Sequence, residues 1–177
     1  GFTSPMSHLE SGIPILTAKN ILDGVLDLDK VHYAGQDEFD ALTAKSKPNP
    51  GDVLITKDGS IGRCAVVPEI GQVCINQSVA LVIPDRSVVI SEYVSAYVRC
   101  SPVQQRIQRM GKGNALKHLQ ITELANFPTI IPPLDLQRHF ADIVKSIGQQ
   151  KASQRAHLDE LDALFASLQS RAFKGDL

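Results

Sequence analysis

The sequence predicts an α+β chain: a compact, mixed, β-rich domain over residues 1–133, followed by a long coiled-coil helix in residues 134–177. Three observations carry this expectation. Short runs of branched apolar residues bounded by Gly, Pro, Asn or Asp recur through the first half of the chain, as strands and their turns do. Two segments of helical period follow them. Beyond the Pro132-Pro133 pair the apolar period changes to seven, the spacing of a coiled-coil seam. With 177 residues, 43% of them hydrophobic, the chain can bury roughly two thirds of its surface, so its core needs neither metal nor disulfide.

The strand-like runs lie at 13–17, 53–56, 65–67 and 79–83. Helices are predicted at 90–99 and 103–110; Ser101 supplies an N-cap for the second, Pro102 a first-turn proline and Gly111 a stop. Residues 127–131 read as a last strand leading into the proline pair. A single helix then spans Leu134–Lys174, about 60 Å if straight. Along it Phe140, Ile147, Gln154, Leu161 and Leu168 recur every seven residues, beside Val144, Lys151, Leu158, Phe165 and Ala172. These are the d and a positions of a seam that needs a partner helix, with Lys151 and Gln154 as a polar break at its middle. No second heptad of comparable length exists in the chain, which favours an intermolecular partner and a homodimer.

Cys64, Cys74 and Cys100 are odd in number and far apart, as buried free thiols would be. No apolar run is long enough to cross a membrane and no secretory leader precedes the domain, so a soluble cytoplasmic protein is expected. The net charge of −1 hides a segregation. No acid lies between Glu92 and Glu123, while Arg99, Arg106, Arg109, Lys112 and Lys117 give that window +5 and leave −6 for the rest. Such an arrangement suits a basic face turned to a polyanion, or equally a solvated helix face.

Catalytic patterns do not emerge. No Asp or Glu stands two residues before a Lys, as a common metal-dependent nuclease site requires. Gly111-Lys112-Gly113 lacks the third glycine and the preceding strand of a nucleotide loop. Asn49-Pro50-Gly51 has no following aromatic to stack on a flipped base. His8, His32, His118, His139 and His157 show no ligand spacing, and Ser60 and Ser78 stand in no nucleophile motif. A non-catalytic protein without metal or cofactor is therefore expected.

Polar glycine loops remain. The run Lys57-Asp58-Gly59-Ser60-Ile61-Gly62-Arg63 joins two apolar strands and offers Lys57, Ser60 and Arg63 to a phosphate, though an ordinary decorated turn reads the same way. Asn76-Gln77-Ser78 carries side chains able to contact adenine edges. Lys112, Asn114, Lys117 and His118 sit in a basic polar loop inside the acid-free window, suited to following a phosphate backbone.

Taken together, Gly12-Ile13-Pro14-Ile15-Leu16-Thr17-Ala18-Lys19-Asn20-Ile21, the run from Pro50 to Arg63, and Asn76-Gln77-Ser78 resemble recurring segments of Type I restriction-modification specificity subunits. Ile131-Pro132-Pro133-Leu134 with Gln137 is similar to the junction where such recognition domains enter their spacer helix, and Leu168-Gln169 with Arg171 to Leu177 is similar to the helix end. Leu136 stands where the family usually carries Glu. The chain opens at Gly1-Phe2 without the methionine and first strand of the domain, as a fragment would. The resemblance implies a target-recognition domain that contacts double-stranded DNA, adding Lys19 and Asn20 to the expected contacts. It further implies a bipartite target, a DNA methyltransferase subunit and a restriction subunit as partners, and S-adenosylmethionine and ATP bound by those partners. The alternative is a coiled-coil interaction protein with a globular head and no affinity for DNA.

Overall fold

The computed structural model of the chain describes residues 2, 6–7, 9–113 and 117–175. Gly1, His8, Asn114 and Leu177, named above, lie outside the described residues. Two compact units are present, Gly1–Arg138 and His139–Leu177.

Among the described residues the first unit holds six strands in two three-stranded sheets. One has the order β2-β1-β5, with β1 (Ile13–Leu16) antiparallel to β2 (His32–Ala34) and parallel to β5 (Cys74–Ile75). The other has the order β4-β3-β6, all antiparallel, from β3 (Val53–Thr56), β4 (Cys64–Val66) and β6 (Val79–Val82). Strand alternation builds the layers. Leu16, Leu54, Ala65, Ile75 and Val79 meet in one core fed by both sheets. On the other side of the second sheet, Val53, Ile55 and Cys64 pack against Val98, Val103 and Ile107 of two helices, α2 (Ser91–Arg99) and α3 (Ser101–Met110). Because β3 is covered on both faces, all four of its residues are apolar or fully hydrogen-bonded, and all four are buried. Ile13, Ile15 and Cys74 face outward from the first sheet onto Phe39 of a short helix, α1 (Gln36–Asp40).

Several expectations are corrected. Residues 127–131 form no strand: Phe127 packs beside the α2-α3 core, the Tyr93 hydroxyl donates to the Ile130 carbonyl at 2.8 Å, and Ile130 and Ile131 are exposed, so the run follows the helices rather than a sheet. A short helix precedes it, α4 (Ile121–Ala125). Ser101 is the first helical residue of α3 rather than its cap; Cys100 holds the capping position and supplies no side-chain bond. The third strand is shifted by one residue, to Cys64–Val66.

The last helix, α5, runs unbroken over Leu134–Lys174. Its first residues belong to the first unit. Gln137 there is fully buried: its Oε1 accepts from the Ile90 amide at 2.9 Å, and its Nε2 donates to the carbonyls of Val88 at 3.0 Å and Pro132 at 2.7 Å. These three bonds tie the loop before α2 to the junction and explain why a glutamine stands at this position. Leu136 beside it is largely exposed. In the second unit the heptad residues Ile147, Leu158, Leu161, Phe165 and Leu168 are exposed along the helix, with Leu161 and Phe165 at 62% and 63%; Phe140 is exposed as well and Val144 half-buried.

Candidate nucleic-acid interface

A cleft of about 950 Å³ opens where the ends of both sheets meet. Each of its walls follows from local chemistry. On leaving β1 the chain makes a long excursion before returning as β2, and Asn20 organises it. Its Oδ1 accepts from the amide and hydroxyl of Thr17 (3.0 and 2.9 Å), and its Nδ2 donates to the carbonyls of Asp27 (3.2 Å) and Lys30 (3.3 Å). Asn20 is therefore buried and fully engaged, while its neighbour Lys19 is exposed. The clamp also brings Lys30 and His32 to the cleft.

The second wall is the turn from β3 to β4. Thr56, wholly buried, closes it: its amide donates to Arg63 O at 2.9 Å, its hydroxyl donates to Ser60 O, and the same oxygen accepts from the Arg63 amide at 2.9 Å. Gly59 (φ +73°) and Gly62 (φ +85°) provide the left-handed backbone, and a Cβ on Gly62 would stand 2.9 Å from Ile107 Cγ2. Ser60 and Arg63 project outward as exposed side chains. Lys57 does not. Its side chain is largely buried, and its ammonium pairs with Asp58 at 3.2 Å.

Asn76-Gln77-Ser78 forms the floor, crossing from β5 in one sheet to β6 in the other. The Asn76 Oδ1 accepts from the amide and hydroxyl of Ser78, leaving Gln77 exposed between two engaged residues. The fourth wall is Lys117 and His118. His118 Nδ1 pairs with Asp58 Oδ1, and the backbone bonds Gly59 N to Lys117 O (2.9 Å) and Leu119 N to Lys57 O (2.8 Å) hold this segment against the turn. Burial raises the Asp58 pKa, but hydrogen bonds from His118 and Lys57, reinforced by their charges, outweigh it and hold the carboxyl below its ordinary range.

Of the residues expected at an interface, Lys19, Asn20, Ser60, Arg63, Asn76, Gln77, Ser78, Lys117 and His118 all line this cleft, although they come from four separate stretches of sequence. Lys57 and Lys112 do not line it, and Asn114 lies outside the described residues. Lys30 and His32 were not anticipated. Nothing in their neighbourhood distinguishes them until the Asn20 clamp folds the excursion back.

The electrostatics also differ from the linear reading. In the acid-free window Arg99 bonds Asp23 O at 3.1 Å, Arg106 lies 5.1 Å over the Phe127 ring, Lys112 pairs with Glu123 at 3.1 Å, and Lys117 donates to Gln108 Oε1 at 3.0 Å. Most of its cations are thus engaged within the protein. The cleft lining instead collects Lys19, Lys30, Arg63 and Lys117 against the single carboxylate of Asp58, a balance of +3 in a chain of net −1. Lys19, Lys30 and Arg63 have no side-chain ion pair or hydrogen bond among the described residues.

Comparison with known proteins identifies the family. The family model for the Type I restriction modification DNA specificity domain matches residues 8–163. The chain belongs to that family. A curated relative, the Type I restriction enzyme EcoBI specificity subunit of Escherichia coli, is 26% identical over 185 residues, covering all of this chain and 38% of its own. Among solved structures, a chain from a study of complex assembly and conformational transition in the type I R-M system superposes over the whole chain with a TM-score of 0.71 at 21% identity; 43% of that chain is covered. The HsdS subunit of Thermoanaerobacter tengcongensis superposes with a TM-score of 0.64 at 22% identity, over 42% of its length. The chain thus spans less than half the length of these proteins, and it shares the fold of the two solved chains, mixed sheets followed by a long helix. Among the described residues no helix is long and apolar enough to cross a membrane.

Proposed function

We propose that this chain is one target-recognition domain with its spacer helix, residues 1–133 and 134–177, and that it directs methyltransferase and restriction subunits to one half of a bipartite DNA target. The observation that carries the reading is the cleft lining of net +3, where Lys19, Lys30 and Arg63 have no side-chain ion pair or hydrogen bond among the described residues. Cations held near one another without internal partners recognise phosphates, and they lose affinity as salt releases the counterion gain. Gln77, exposed on the cleft floor, is the amide placed to reach a base edge. The stretches around Lys19, Arg63, Gln77 and Lys117 together form the contact surface.

The exposed seam of α5 supports pairing with an equivalent helix, which for this chain is that of a second copy. An antiparallel arrangement puts Lys151 and Gln154 at a central two-fold axis and buries an apolar half-seam on each side. Two domains so related would read two half-sites at a fixed gap. Methyl transfer with S-adenosylmethionine and ATP-driven cleavage fall to the partner subunits. Incubating the chain with radiolabelled S-adenosylmethionine and duplex DNA tests this: no transfer is expected alone, sequence-selective transfer with the methyltransferase subunit added. Labelled DNA from the chain alone would refute the division of labour.

A further inference from the structure

Ser78 joins three of the four cleft walls. Its hydroxyl accepts from the Ala18 amide at 2.9 Å, next to Lys19, and donates to Asn76 Oδ1 at 2.6 Å; its carbonyl accepts from the Lys57 amide at 2.9 Å, where the Arg63 turn begins. It also closes the three-residue crossing on which Gln77 stands, and that crossing passes between two sheets that share no strand-to-strand ladder. The β1 exit, the β5–β6 crossing and the β3–β4 turn therefore all meet at this residue, where its hydroxyl adds the side-chain link to backbone pairing of Leu16 with Ile75 and Thr56 with Val79. From this we infer that Ser78 is a positioning residue for DNA discrimination: it contacts no base itself, and its hydroxyl sets Lys19 and Gln77 at the distance from Arg63 that a matched half-site requires. The inference rests on the DNA reading above.

The chemistry separates position from grip. Replacing Ser78 by Ala leaves Lys19, Lys30 and Arg63 in place with their charges, so counterion release on binding any duplex is unchanged. What is lost is the acceptor for the Ala18 amide and the donor to Asn76. The loops can then adopt more than one spacing, and a matched duplex must select among them.

The test uses the full chain and duplexes selected by it from a random pool, with a scrambled duplex as control. Ser78→Ala should lower affinity for the selected duplex about three- to tenfold, the factor that one or two lost hydrogen bonds give. Affinity for the scrambled duplex and the salt slope on both should not move. Ser78→Thr, which keeps the hydroxyl, should restore discrimination. Hydrogen exchange without DNA should show the Ala18 amide losing protection in Ser78→Ala and keeping it in Ser78→Thr. Equal loss on both duplexes, no loss on either, or a threonine variant no better than alanine would overturn the inference. If the unmodified chain selects no duplex from the pool, the DNA reading itself fails, and that outcome is visible before any variant is made.

Discussion

The recognition unit and the spacer helix differ in what folding leaves without a partner. In the first, the polar groups of Asn20, Thr56, Ser78 and Gln137 are hydrogen-bonded, and the exposed groups gathered at one place are the cations of the cleft. In the helix the reverse holds. Every residue from Lys145 to Gly175 is exposed, and among them large apolar side chains recur at heptad spacing. On the proposed reading, each region meets its partner through what remains unsatisfied: a polyanion for the unit, an apolar surface for the helix.

The largest effect should come from breaking the helix side of that contrast. Leu161→Asp with Phe165→Asp removes two large buried contacts, about 1.5–3 kcal/mol each, from any paired seam. Light scattering should show the assembled chain converted to monomers while the recognition unit keeps its unfolding transition. A monomeric unmodified chain at tens of micromolar would instead show that the seam awaits a different helix.

Within the recognition unit, Gln137→Ala should cost about 2–3 kcal/mol in urea unfolding, since three hydrogen bonds of roughly 1 kcal/mol each are lost. An unchanged urea midpoint would mean the junction does not depend on those bonds.

The cysteines sharpen the comparison from inside the core. Burial pushes the Cys64 thiol up to about 12 and Cys74 up to about 11. Native protein at pH 8 should therefore react with a thiol reagent at Cys100, which is only half-buried, and at the other two only on unfolding. Because their folded pKa values are raised, the unfolded chain releases these protons first, so stability should fall as pH rises above about 9. Fast modification of Cys64 or Cys74 in the native state would contradict the tight packing of both cores.

The smallest effect is expected at Lys112. Its exposed pair with Glu123 contributes at most about 1 kcal/mol, and Lys112→Ala should leave the salt slope of DNA binding unchanged. A lower slope would return the acid-free window to the interface.

How far these features were legible in sequence depends on how local their causes are. β1, β3 and β6 follow from short branched apolar runs, and α2 and α3 from helical period, because each packs its apolar residues into a core. β2 and β5, three and two residues long, exist only because β1 pairs with them, and so carried no period of their own. The run 127–131 has strand composition but packs Phe127 beside the two helices instead of pairing with a strand. The cleft was legible in pieces: the loops at 57–63 and 76–78 announce themselves by glycine and amides. Lys30 depends on the Asn20 clamp across ten residues, and no local signal marks it. The acid-free window misled for a related reason, since Asp23 and Glu123 lie outside it in sequence and beside it in space.

Under the proposed function, cleft cations with no partner among the described residues grip DNA phosphates. Measuring the logarithm of affinity against the logarithm of salt concentration for the unmodified chain and for Lys19→Ala, Lys30→Ala, Arg63→Ala combined tests it most directly. If each cation holds one phosphate, the slope should fall by about 2.7, at roughly 0.9 per contact. An unchanged slope in this variant, with the domain still folded, would contradict the claim and place the DNA elsewhere on the protein.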